Sequence, residues 1–259
     1  MKLSIIIITF NEEVNIKRTL ESVHKIKSNN LELEIIVIDS GSNDNTENIC
    51  KNYTQDFYFN SWSGYSNQKN FGLSKSTGEW ILFLDADEEL TENLAKEIGS
   101  LCLENIENTC YNIKRKTFYL GKLMNYSWYP DIKLRLVNKV NEPYWEGDYV
   151  HESIKFKSTE LSNKTLQNYL IHYSYKNITH HFEKTLIYAI LSSKDYFQKA
   201  KKFRYKNLII NPLFAFIKLY IIRKGFLDGW RGLLAGFSTF YYTFMKYILL
   251  KELESNKKK

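Results

Sequence analysis

Cysteine is scarce: Cys50, Cys102 and Cys110 are the only three in 259 residues. An odd number without C-x-x-C spacing indicates neither a disulfide framework nor a zinc site, and points to a reducing compartment. No stretch reaches 18 uncharged apolar residues, so no clear membrane-spanning helix is expected. The opening Met1-Lys2-Leu3-Ser4-Ile5-Ile6-Ile7-Ile8 is too short for a signal h-region and runs into Asn11-Glu12-Glu13 without a small-residue cleavage site. Walker-type and G-x-G-x-x-G glycine loops are missing, which leaves an NTPase or dinucleotide enzyme unsupported. Internal repeats and recognised nucleic-acid modules are also missing, so no nucleic-acid partner is expected. A chain of this length can bury one large core, with or without an appendage.

Charge is unevenly spread. Residues 1–175 hold 19 Lys and Arg against 24 Asp and Glu, whereas 176–259 hold 17 against 5. An acidic, metal-favouring front therefore precedes a basic, aromatic-rich tail, which suggests a polyanionic surface as partner.

The first hundred residues alternate strand and helix signals. Strands are expected at Leu3–Thr9, Glu34–Ile38, Phe57–Phe59 and Trp80–Leu84. Helices are expected at Glu12–Val23, from Asn45 or Thr46 to about Tyr53, at Ser66–Ser76, and at Thr91–Cys102 behind a Thr91 cap. That alternation predicts a parallel α/β sheet with helices on both faces. Shorter segments follow (Tyr111–Phe118, Lys133–Val137, Tyr149–Phe156), read as an antiparallel or mixed extension. Helix returns over Thr179–Lys202. Asn211-Pro212 reads as a helix start, and Asp228 as the cap of a last helix to about Leu253.

Chemistry concentrates where strands end. Trp80–Leu84 stops at Asp85 and Asp87, spaced i, i+2. Two buried carboxylates need a compensating cation or donor network, and at a sheet edge a divalent metal shared with a substrate phosphate supplies one. Asn11, Glu12 and Asp39 end the other strands and offer directional groups to a base and ribose. Asp39-Ser40-Gly41-Ser42 is also ordinary turn chemistry, and Asn11 could cap a helix.

Together, Ile5–Glu12, Val37–Thr46, Gln68-Lys69-Asn70 and Gly78–Asp87 resemble the nucleotide-sugar half of a glycosyltransferase family 2 enzyme. The runs Trp128-Tyr129-Pro130-Asp131, Lys133–Leu136 and Val150-His151-Glu152 extend the resemblance to the branch containing lipopolysaccharide-core β-glucosyltransferases. The resemblance implies a GT-A, Rossmann-like mixed sheet with helices on both faces, plus C-terminal basic amphipathic helices. It implies a catalytic domain over 1–175, with a donor half (1–100) and an acceptor half (101–175); the basic, aromatic-rich 176–259 reads from its composition as a membrane-associating extension. Thr9, Asn11 and Glu12 would line the base pocket with Ser40 nearby. Asp39 would contact uracil or ribose, and Lys69 and Asn70 would sit near the donor. Asp87 would ligate Mg²⁺ or Mn²⁺, and Asp85 would favour the sugar or ribose.

Reaction by inversion needs a base, for which Glu152 is the candidate and Asp131 the rival. The plain alternative for Glu152 is a rim carboxylate paired with a lysine such as Lys155. Arg135 is a candidate phosphate ligand, since its fork suits that geometry. His172 is a candidate third metal ligand, against the commoner structural histidine. Phe203–Lys224 interleaves aromatics and apolars with lysines, and Leu233–Leu250 is nearly continuous apart from Lys246, which together read as an interfacial element. The expectation is a hexosyltransferase on the cytoplasmic face of the bacterial inner membrane, using a UDP-sugar and a lipid-anchored glycan such as lipopolysaccharide or lipooligosaccharide core. The alternatives are a polyprenyl-phosphate or capsular acceptor, or a catalytically silent nucleotide-sugar-binding protein.

Overall fold

The computed structural model describes residues 1–28, 30–103, 108–147, 152–157 and 161–257. It separates into two compact units. One comprises Met1–Arg115 and Asp131–Tyr173, the other Lys116–Pro130 and Ser174–Lys259.

The first unit is built on a mixed sheet. Its parallel half contains β1 (Lys2–Thr9), β2 (Glu32–Asp39), β3 (Phe57–Phe59) and β4 (Trp80–Asp85). Four more strands continue it, namely β5 (Glu88–Leu90), β6 (Thr109–Tyr119), β8 (Asp131–Asn138) and β11 (Ser162–His172). The order is β3-β2-β1-β4-β8-β6-β11-β5, antiparallel from β4 to β8, β8 to β6 and β11 to β5. In this unit β9 (Pro143–Glu146) with β10 (Ser153–Phe156) forms a separate hairpin, and in the second unit the short β7 (Lys122–Leu123) pairs with Phe118 and Tyr119 at the end of β6.

Because strand side chains alternate, the continuous apolar run of β1 feeds two cores. Leu3, Ile5 and Ile7 pack with α1 (Ile16–Val23), α2 (Thr46–Lys51) and α4 (Glu92–Leu103). Ile6 and Ile8 belong to the opposite face, where α3 (Tyr65–Lys75) supplies Phe71 and Leu73. Gly72 permits that approach: a Cβ there would fall 2.4 Å from Ile6 Cγ2. These elements reproduce the expected alternation, with one shift. The first helix starts at Ile16 and not Glu12, because Glu12 O accepts the N–H groups of both Asn15 and Ile16 in a preceding turn. Strands β5, β9 and β11 were not anticipated. Of the expected Tyr149–Phe156 strand, Ser153–Phe156 is β10, and Tyr149, Val150 and His151 lie outside the described residues.

In the second unit, α5 (Ile178–Gln198) is capped by the Asn177 side chain, which accepts the His180 N–H. It is followed by α6 (Tyr205–Ile217), continued by a π-helical turn Lys218–Ile222, and by α7 (Trp230–Asn256). Tyr119, Met124, Leu219 and Ala235 form the buried centre. Both helix-start expectations fail here. Pro212 lies inside α6, and Asn211 donates its amide to the Tyr247 hydroxyl at 2.7 Å rather than capping. Asp228 caps nothing in α7: its carboxylate accepts the backbone N–H groups of Asn125, Tyr126 and Ser127. The run Tyr205–Ile222 is long and apolar enough to cross a membrane by length and composition. The expectation of no spanning segment considered only uncharged runs, and this one includes Lys206 and Lys218.

Candidate active site

Sheet register gathers the candidate residues of the first unit. Thr9 pairs with Asp39 and Ile8 with Asp85, so β1, β2 and β4 end along one edge. Open α/β sheets place ligand crevices at such carboxyl ends.

At the β4 end, cations surround the carboxylates. Arg135 on β8 is buried, and its Nη2 donates to Asp85 Oδ2 at 2.7 Å and Glu88 Oε1 at 2.8 Å. Arg115 on β6 donates through Nη1 to Glu88 Oε1 at 3.0 Å and through Nε to Asp131 Oδ2 at 2.8 Å. The remaining Glu88 oxygen accepts the Asp85 backbone N–H at 2.9 Å. Lys69 on α3 lies 3.5 Å from Asp85 Oδ1 and 3.6 Å from Glu152 Oε1, with its ammonium 4.2 Å from the Trp145 ring centre. Glu152 therefore pairs with Lys69, a partner the sequence reading did not name.

These contacts set ionisation. Burial works against the charge on Asp85, but Arg135, then Lys69 and Arg115, hold its carboxyl well below the usual carboxylate range. Burial likewise opposes the Asp131 charge, and Arg115 outweighs it, so that carboxyl too is lowered. Both guanidinium groups are correspondingly raised against the pull of burial, Arg135 by Asp85 and Glu88, and Arg115 first by Glu88. Protein cations thus compensate the Asp85 charge.

Asp87 points elsewhere. Its Oδ2 lies 3.3 Å from His172 Nε2, and its carbonyl accepts the Tyr173 N–H, so β11 carries the histidine to it. Among the described residues no three His, Cys, Asp or Glu side chains form a group that could hold a metal, so Asp85, Asp87 and His172 are not gathered as one cage. Asp87 and His172 form a carboxylate–imidazole pair, a donor set that would suit a divalent cation such as Mn²⁺.

The nucleotide-side candidates are tied into loops. Asp39 Oδ2 accepts the N–H groups of Gly41 and Ser42, both at 2.7 Å, and Oδ1 accepts the Ser42 hydroxyl. Asn11 has a left-handed backbone (φ 54°), donates its N–H to Ser42 Oγ, and accepts the Asn43 N–H through its side chain. Glu12 accepts from the Asn15 amide at 2.8 Å, and the Ser40 N–H donates to Thr9 O. Thr9 Oγ1 is buried without a hydrogen-bond partner. Asn70 clasps both backbone polar groups of Trp145, which anchors β9 to α3.

Glu88 and Arg115 join the cluster without having been singled out. The signal for Glu88 was its place next to Asp87. For Arg115 it was the strand period, which puts it on the face of the buried Ile113.

The family model described as Glycosyl transferase family 2 matches residues 4–155. An uncharacterized glycosyltransferase of Rickettsia typhi is 31% identical over 97% of this chain and 87% of its own. The lipopolysaccharide core biosynthesis glycosyltransferase LpsC of Rhizobium meliloti is 28% identical over 92% and 86%. Among solved structures, the mannosyltransferase PcManGT of Pyrobaculum calidifontis, in complex with GDP-Man and Mn²⁺, aligns with a TM-score of 0.56 at 13% identity. It covers 96% of this chain and 86% of that one. The sheet and its flanking helices are those of a GT-A glycosyltransferase.

Proposed function

This chain belongs to glycosyl transferase family 2, and we propose that it is an inverting hexosyltransferase moving a sugar from a UDP-type donor to a lipid-anchored glycan. The observation that carries the reading is Lys69, which is held between Asp85 at the strand edge and Glu152 across from it. A donor-side carboxylate and an acceptor-side carboxylate are thereby fixed relative to each other. The similarity to LpsC, a lipopolysaccharide core biosynthesis glycosyltransferase, favours a lipopolysaccharide-type acceptor.

Asp87 and His172 are the residues that would hold a divalent cation. That cation, when bound, supplies Lewis acidity to the departing diphosphate. The chain's own groups do the remainder. Arg135 and Lys69 fix the Asp85 carboxylate, so it presents an oriented acceptor to donor hydroxyl groups. Glu152 takes the proton of the acceptor hydroxyl as its oxygen bonds to the anomeric carbon. The bond from that carbon to the phosphate oxygen breaks, and its electron pair leaves with the nucleoside diphosphate. One displacement gives inversion with no sugar–enzyme intermediate. Asp131 accepts two hydrogen bonds from Arg115, whereas Glu152 meets Lys69 only at 3.6 Å, which favours Glu152 as the base.

The test incubates the purified protein with a panel of nucleotide-sugars, with and without metal, and scores nucleotide release. Release from one UDP-sugar supports the reading. Binding without release from any donor identifies a silent binding protein instead.

A further inference from the structure

In the second unit, the turn between α5 and α6 frames a cavity of about 340 Å³. Lys201, Lys202 and Arg204 line it, together with Asn207, Tyr196 and Tyr247. Among the described residues no Asp or Glu lines it. The acids close by in sequence or packing are engaged: Asp195 pairs with Lys199 at 2.8 Å, and Glu254 accepts the Phe203 N–H at 2.8 Å. Tyr196 holds two cations in place, Lys201 at 4.0 Å and Lys246 at 4.5 Å from its ring centre. Arg204 occupies the N-cap of α6 and makes no side-chain capping bond, so the helix's positive end adds to the same field.

Directly beyond this basic mouth α6 turns apolar outward. Ile209, Ile210, Leu213 and Phe214 are each half or more exposed, and Ile221 and Ile222 continue the series. Contiguous exposed apolar surface next to fixed positive charge is the chemistry of an anionic lipid, with phosphate at one end and acyl chains at the other. Lys206 and Lys218 decide the orientation. Twelve residues apart, they span about 18 Å of helix, less than the roughly 30 Å hydrocarbon thickness, so a spanning pose would bury at least one ammonium. A helix lying flat keeps both at the headgroups.

We propose that this cavity binds the phosphate of an anionic phospholipid headgroup and seats α6 in the plane of the membrane surface. The proposal deepens the lipid-acceptor reading above by assigning the membrane contact to one built site.

The experiment is flotation of the full chain with phosphatidylcholine vesicles and with the same vesicles doped with phosphatidylglycerol. Wild type is expected to favour the doped vesicles. K201S/K202S/R204S is expected to lose roughly 100-fold of that preference, from three basic contacts. Asn207→Phe fills the cavity without changing charge and is expected to lose most of the preference too, with its melting temperature confirming an intact fold. Full preference in either variant overturns the site in favour of diffuse charge. Binding of inorganic phosphate to the lipid-free chain, together with equal flotation on both vesicle types, overturns the lipid assignment in favour of a free-phosphate site. Nucleotide release from donor and water alone separates the two readings. It is expected to be unchanged in these variants, and its absence from wild type would sink the transferase reading while leaving the flotation result standing.

Discussion

Arg135 and Asp85 form a fork-to-carboxylate pair, with Nη2 2.7 Å from Oδ2 and Nη1 3.5 Å from Oδ1. The same guanidinium also neutralises the fully buried Glu88, so one cation stands between two carboxylates. Removing it strands both. Arg135→Met is expected to lower unfolding free energy by about 3–5 kcal/mol, the usual loss when one partner of a buried pair is deleted. Arg135→Lys should recover part of this, since charge returns without the fork. Urea denaturation checks it, and a Met variant within about 0.5 kcal/mol of wild type would contradict the network.

Glu152→Gln preserves shape and removes basicity. Sugar transfer is expected to fall about 10²–10⁴-fold while donor affinity stays near wild type. Asp131→Asn should retain transfer within about tenfold, because its part is to hold Arg115. Turnover with acceptor, paired with donor titration, measures both. The opposite ranking would make Asp131 the base.

Acid sensitivity of the second unit follows from His181. Burial, with His180 adding to it, pushes the imidazole down to about 4, and the Tyr119 hydroxyl meets its Nδ1 at 2.7 Å. The unfolded chain titrates at the ordinary 6.5 and binds the proton first. Stability from this group is therefore complete above pH 6.5 and is lost as pH falls from there through about 4, up to a ceiling of about 3 kcal/mol. Urea midpoints at pH 7 and pH 4.5 test this, and His181→Asn should flatten the difference.

The sequence made the parallel half of the sheet readable because its strands are unbroken apolar runs ending in turn residues. The antiparallel half was less readable for a physical reason. Ser162–Gln167 is mostly polar and exposed, and it belongs to a strand that the sheet places beside β6, some fifty residues earlier in the chain. The same limit applies to the site. Asp85 and Asp87 were evident as paired acids, but the agent neutralising Asp85 lies fifty residues away on β8. Asp228 and Asn211 misled because good capping residues were taken up by long-range hydrogen bonds.

Helix packing in the second unit depends on Gly232. A Cβ there would lie 1.8 Å from Gly225 O, a backbone atom that cannot swing away. Gly232→Ala should destabilise by about 3 kcal/mol or more. Gly236→Ala, facing the Phe216 ring at 3.1 Å, should cost less. Thermal melts of the two variants give the ranking.

The Asp87–His172 pair is tested most directly by titrating UDP into the protein by calorimetry, with and without Mn²⁺. The account predicts that the metal tightens UDP binding at least tenfold in wild type, and that Asp87→Ala abolishes the gain while leaving metal-free binding intact. Metal-independent UDP binding in wild type, or an undiminished gain in Asp87→Ala, would contradict it.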